Sequence, residues 1–117
     1  MSFDTKKKTA LLVGRYQGFH LGHRTLILEA LKRTDQVCIA VRDTEGTDEK
    51  NPFSFEKIKF SIEEGMKDVL NQIEIILIPN ITSICYGRDV GYSIDKIELP
   101  SEIESISATE IRKNMKI

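Results

Sequence analysis

Ala10-Leu11-Leu12-Val13-Gly14-Arg15-Tyr16-Gln17-Gly18-Phe19-His20-Leu21-Gly22-His23 is the stretch on which the reading of this chain turns. The unbroken apolar run at its start reads as a strand buried on both faces. It runs into a turn bracketed by glycines, and a helix begins where the two histidines stand. A helix N-terminus carries unpaired N–H donors and partial positive charge, which suit a phosphate. Both histidines of the chain lie at this one place.

Outward from that stretch, strand and helix patterns alternate. A helix is predicted over residues 21–33, with Leu21, Leu28 and Leu31 toward the core. An apolar strand at 37–41 leads into a polar loop at 43–52 that carries Gly46 and Lys50. A second helix starts near Ser54, with Phe55, Ile58, Ile62, Met66 and Val69 as its apolar stripe. Gly65 interrupts that stripe, either ending the helix or weakening it. A third strand at 73–78 stops at Pro79, followed by a short segment at 83–86, an edge strand at 96–99 and a last helix at 107–115.

Such alternation implies right-handed crossovers and a parallel sheet. The expected class is α/β: a single Rossmann-like domain over residues 1–117, with about five parallel strands and helices on both faces. Residues 1–8 are expected to form a mobile tail. Ligands of such sheets sit outside the carboxyl ends of the strands, and the 14–23 turn is a carboxyl-end turn of that kind.

Composition narrows the function classes. The 117 residues are 40% hydrophobic and 30% charged, as in a globular domain. A net charge of −1 argues against a nucleic-acid partner. Cys38 and Cys85 read as free thiols in a reducing compartment. No apolar stretch has the length of a membrane span. The N-terminal residues, with Lys6, Lys7 and Lys8, lack the apolar core of a signal peptide. A cytoplasmic protein without membrane contact is expected.

The turn matches neither the Gly-x-x-x-x-Gly-Lys-Ser/Thr phosphate loop nor the Gly-x-Gly-x-x-Gly dinucleotide fingerprint. Two histidines without a nearby cysteine or carboxylate are too few for a metal centre, so no metal-binding residue is expected. What remains for paired histidines over a helix N-terminus is an anionic substrate, with imidazolium N–H groups on phosphoryl oxygens. Gly22 lets a nucleotide approach the backbone. Near the end of the chain, Ser107 and Glu110 have the spacing of a capping box. There Ser107 and Thr109 offer hydroxyls, and Arg112 a clamp for phosphate. Arg42, after the second strand, and Arg88 are candidate acceptor-binding cations.

His20-Leu21-Gly22-His23 taken with Ile106-Ser107-x-Thr109-x-x-Arg112 resembles the paired signatures of the nucleotidylyltransferase superfamily. Gly14-Arg15-Tyr16-Gln17 is similar to the nicotinamide-mononucleotide adenylyltransferase form of the first motif, and Asn51-Pro52-Phe53-Ser54 to the segment that follows the second strand there. Gly18 stands where those enzymes usually have proline, a change expected to loosen the turn by a few tenths to about 1 kcal/mol. In compactness the chain is nearer to glycerol-3-phosphate cytidylyltransferase of the same superfamily.

The resemblance implies transfer of a nucleoside monophosphate from a nucleoside triphosphate to a phosphorylated small-molecule acceptor, with release of pyrophosphate. It places His20 and His23 on the α- and β-phosphate oxygens, with Arg112 as a third catalytic group. Ser107, Thr109 and Lys50 belong to the β- and γ-phosphates. Gly14, Arg15, Tyr16, Gln17, Phe19 and Gly22 are expected to line the nucleotide. Mg2+ is expected to arrive on the nucleotide phosphates rather than on protein ligands.

Arg15 and Gln17 lean toward adenylyl transfer and chain length toward cytidylyl transfer; adenylyl transfer is the expectation, cytidylyl transfer the alternative. The rival from another class is a module that senses a nucleotide without turning it over. A fragment of a class I aminoacyl-tRNA synthetase is set aside, because the chain has no room for a tRNA-binding domain and no lysine-rich second signature. Short chains with an exposed sheet edge often pair with themselves, so a homodimer is a further expectation.

Overall fold

The structure, a computed structural model, describes residues 3–43, 53–88, 91, 93–97 and 99. Its frame is a strand β1 (Thr9–Gly14), a helix α1 (Leu21–Leu31), a strand β2 (Gln36–Arg42), a helix α2 (Phe55–Gly65) and a strand β3 (Ile73–Ile78), with a 3₁₀ turn at Lys67–Gln72 before β3. The described strands form a parallel sheet in the order β1-β2-β3. The α/β class and parallel sheet expected from the alternation are what the chain forms.

β2 lies in the middle, and its residues Val37, Ile39, Ala40 and Val41 are buried. Alternation places Val37, Ile39 and Val41 on one face, in register with Ile73 and Ile75 of β3 and with Ala10 and Leu12 of β1. Ile27 and Ala30 of α1, and Ile58 and Ile62 of α2 with Met66 just after it, join these residues in one cluster. Each fully buried isoleucine, such as Ile27, Ile39 or Ile62, contributes about 1.5–3 kcal/mol by leaving water. Both described helices thus cover the same face, as crossovers of one hand between neighbouring strands require.

Several expectations change. β1 is not buried on both faces: it is an edge strand among the described residues, and Leu11, on the face away from the helices, is 60% exposed. Three of the expected five or so strands fall within the described residues. Residues 83–86 carry no strand, nor do 96, 97 and 99. No helix covers the second face among the described residues, and the helix expected at 107–115 lies outside them. Leu21, expected in the core, is 54% exposed; Ile27 and Ala30 carry that face of α1 instead.

The segment expected as a tail is anchored from Asp4 onward. The buried Gln36 side chain accepts from the Asp4 backbone N–H at 3.0 Å and donates to the Asp4 carbonyl and to Thr9 Oγ1. α2 starts near Ser54 as expected, and Ser54 caps it, its hydroxyl accepting from the Lys57 N–H at 3.3 Å. Among the described residues no helix is long and apolar enough to cross a membrane.

Candidate active site at the 14–23 turn

The carboxyl end of β1 hands the chain to α1 through a turn with unusual backbone. Tyr16 has φ 51° and Gly18 φ 104°, the left-handed side that favours glycine and is uncommon for tyrosine. The Gly18 N–H donates to the Tyr16 carbonyl at 3.0 Å and closes the turn. Proline, fixed near φ −65° and lacking an N–H, has no place in that geometry. Gly18 therefore defines a different turn rather than a loosened proline turn. Gly14 permits a close approach: a Cβ there would lie 3.1 Å from the Tyr16 ring.

His20 is the N-cap of α1, in extended backbone, and its Nδ1 accepts the Gly22 N–H at 3.0 Å. His23 Nδ1 in turn accepts the His20 N–H at 3.4 Å, so the two imidazoles complete a reciprocal capping box. The rings stack with centroids 3.9 Å apart and planes inclined by 19°. Because each Nδ1 is an acceptor, each neutral ring carries its hydrogen on Nε2. The pair is thus two stacked Nε2–H donors fixed by backbone hydrogen bonds.

Charge is where the sequence expectation needs correcting. Burial, and after it the neighbouring His20, lowers His23 from 6.5 to about 4, and burial lowers His20 as well. A stacked pair that holds its Nδ1 atoms against N–H groups disfavours protonation. In the free protein the site offers neutral imidazoles, not the imidazolium groups expected from the sequence; an anionic polyphosphate would draw them toward the charged form.

A stability consequence follows. Between pH 6.5 and about 4 the unfolded chain binds a proton at His23 that the native chain refuses. The His23 contribution is therefore complete above pH 6.5 and is lost as pH falls through that window. Thermal midpoints measured from pH 7 to 4 should drop less steeply in His23→Gln than in the parent. Equal slopes would contradict a depressed His23.

His23 is packed among aromatic rings, with Tyr16 at 4.9 Å and Phe19 at 5.7 Å between centroids. Tyr16 is only 4% exposed, and burial pushes its hydroxyl pKa up. Tyr16 and Phe19, expected to line the nucleotide, lie against His23 and fix it. Gln17 also has a structural role: its amide donates to the Phe53 carbonyl at 3.2 Å, and its oxygen accepts the Phe53 N–H at 2.9 Å. It pins Phe53, two residues before α2, to the turn. Buried Gly22 has its N–H committed to His20.

Among the remaining expected residues, Arg15 is exposed where β1 ends, and Arg88 is exposed on the segment after β3. Arg42 is the last residue of β2, with its Nε buried and without a hydrogen-bond partner among the described residues. Lys50, Ser107, Thr109 and Arg112 lie outside the described residues. No group of three or more His, Cys, Asp or Glu side chains could hold a metal among the described residues. Both cysteines are free thiols.

Sequence reasoning missed a clamp behind the site. Arg24, next to His23, donates to the Gly65 carbonyl at 2.8 Å and to both carboxylate oxygens of Asp68 at 2.9 and 2.8 Å. These partners are 41 and 44 residues away in sequence, and no local pattern announces them.

The chain is similar to known nucleotidyltransferases. The cytidylyltransferase-like family model matches residues 11–75, which run from within β1 through the turn, both helices and β2 to the start of β3. A nicotinamide-nucleotide adenylyltransferase of Methanolobus tindarius is 30% identical over 133 aligned positions, covering 92% of this chain and 77% of that protein. One of Saccharolobus solfataricus is 39% identical over 75 positions, covering 61% of this chain and 44% of that protein. Among solved structures, a bifunctional NMN adenylyltransferase/ADP ribose pyrophosphatase from Francisella tularensis, complexed with AMP and a Mn ion, superposes with a TM-score of 0.51 at 32% identity. That match covers 62% of this chain and 22% of the bifunctional protein.

Proposed function

The chain belongs to the cytidylyltransferase-like family of nucleotidyltransferases, and from that premise we propose that it moves AMP from ATP to a phosphorylated small molecule, with nicotinamide mononucleotide the first acceptor to test. The observation that carries this reading is the stacked His20–His23 pair, held as Nε2–H donors at the N-terminus of α1. The names of the two nicotinamide-nucleotide adenylyltransferase relatives support adenylyl over cytidylyl transfer.

The chemistry asks little of the protein beyond placement. A phosphate monoester is largely ionised at neutral pH, its second pKa being about 6, so the attacking oxygen needs no general base. It attacks the α-phosphorus of ATP in line, the bond to the β-phosphate oxygen breaks, and pyrophosphate leaves with that electron pair. His20 and His23 donate to α- and β-phosphate oxygens, where negative charge builds up in the transition state. Fixed donors of this kind need no reorganisation at the moment of reaction. Arg15 adds charge at the mouth of the turn, and Arg112, Ser107, Thr109 and Lys50 take the β- and γ-phosphates.

Arg42 is assigned to the anionic group of the acceptor, since a guanidinium whose buried Nε–H has no partner among the described residues is stabilised by a bound oxyanion; Arg88 is a second candidate for that role. Magnesium accompanies the triphosphate as part of the substrate, held by phosphate oxygens. The AMP and Mn ion bound by the Francisella protein are in keeping with that arrangement.

The test is pyrophosphate release from ATP and from CTP, with magnesium, using nicotinamide mononucleotide and glycerol 3-phosphate in turn. Release with ATP and nicotinamide mononucleotide is expected. Release with CTP alone would move the reading to cytidylyl transfer. Nucleotide binding without release in any pairing would make the chain a sensor and overturn the proposal.

A further inference from the structure

Gly65 closes α2, yet nothing in its backbone calls for glycine. Helices often end on a glycine with positive φ, but among the described residues only Gly18 and Gly91 of the glycines have positive φ. The residue capping α2 is Met66, with φ −124°. On helix propensity alone, alanine at position 65 would be favoured.

What calls for glycine is the Phe19 ring. A Cβ on Gly65 would lie 2.3 Å from Phe19 Cε2 and 2.6 Å from Cδ2, distances that real contacts do not reach. The ring has little freedom to yield, because it packs against the hydrophobic core and its centroid lies 5.7 Å from that of His23. The Gly65 carbonyl also accepts from Arg24, the residue next to His23, and Asp68 holds the same guanidinium through both its oxygens. The end of α2 therefore touches the His23 turn from two sides, through Phe19 and through Arg24.

We propose that Gly65 is a positioning residue for the reaction: its missing side chain seats Phe19, and Phe19 backs His23 at the place where phosphate is to be held. Gly65 touches no substrate and acts through the ring. The effect on turnover rests on the function proposed above; the effect on the histidine does not.

The experiment is a double-mutant cycle of Gly65→Ala and Phe19→Ala with three readouts: kcat and KM for ATP with nicotinamide mononucleotide, the thermal midpoint, and the titration of His23 followed by nitrogen-15 histidine NMR. Gly65→Ala should lower kcat on the order of 10-fold to 100-fold, the loss typical of a misplacement near 1 Å. KM for ATP should change less. The His23 titration should move up toward 6.5 as its packing opens.

In the Phe19→Ala background the same substitution should have no further effect on any readout, since the ring it strikes is gone. If Gly65→Ala is too unstable to assay, its cost in thermal midpoint should likewise vanish beside Phe19→Ala. Additive effects, or an unmoved His23 titration in folded Gly65→Ala, would overturn the proposal. A parent protein that performs no transfer would refute the function proposed above, while the titration and the stability cycle still decide the role of Gly65.

Discussion

His23→Ala should reduce kcat on the order of 10²-fold or more, the loss found when one fixed transition-state donor is removed. The substitution takes away the Nε2–H donor and also the acceptor for the His20 N–H. His20 loses its stacking partner at 3.9 Å as well, so the remaining donor is no longer held in place. The fold should survive. His23 lies in the first turn of α1 and packs against Tyr16 and Phe19 at the margin of the core, and losing a cap hydrogen bond costs about 1 kcal/mol. Steady-state pyrophosphate release, with circular dichroism as the control for folding, checks both statements. An unchanged kcat in a folded variant would remove His23 from the chemistry.

Gly18→Pro should destabilise the protein strongly, although it restores the residue that the related adenylyltransferases usually carry. The native φ of 104° is out of reach for a pyrrolidine ring. The Gly18 N–H that donates to Tyr16 at 3.0 Å would also disappear. Gly18 is buried and follows Gln17, whose amide holds Phe53, so the turn cannot be remodelled without disturbing that link. The combined cost is on the order of 3 kcal/mol, or a fall in thermal midpoint on the order of 10 °C. Calorimetry decides it. A midpoint equal to or above the parent's would show that the turn adopts a proline-compatible backbone, and the positive φ at Gly18 would then be wrong.

The features legible in the sequence were those set by neighbours along the chain. The apolar runs gave β1, β2 and β3 because a strand in a parallel sheet is decided by a few consecutive residues. Ser54 and the Ile58, Ile62, Met66 stripe gave α2 because capping and helical period are local properties. The histidine pair was legible for the same reason, being three residues apart at one helix start.

Properties that depend on distant partners were not legible. Leu11 reads as core until the crossovers place both described helices on the other face. Gln17 reads as a nucleotide contact until folding brings Phe53, 36 residues away, against its amide. The protonation of His23 depends on burial beneath Tyr16 and Phe19 as well as on the adjacent His20. Gly65 was visible only as a break in a stripe; the ring that requires it lies 46 residues earlier, on the turn itself.

Direct transfer between two bound substrates, with the protein supplying only placement and fixed donors, has a stereochemical signature. ATP made chiral at the α-phosphorus with sulfur and heavy oxygen, turned over with nicotinamide mononucleotide, reports it in the configuration of the dinucleotide product. A single in-line displacement inverts the α-phosphorus, and inversion is the expected result. Retention would require a covalent nucleotidyl-protein intermediate and would contradict a site in which His20 and His23 act as hydrogen-bond donors.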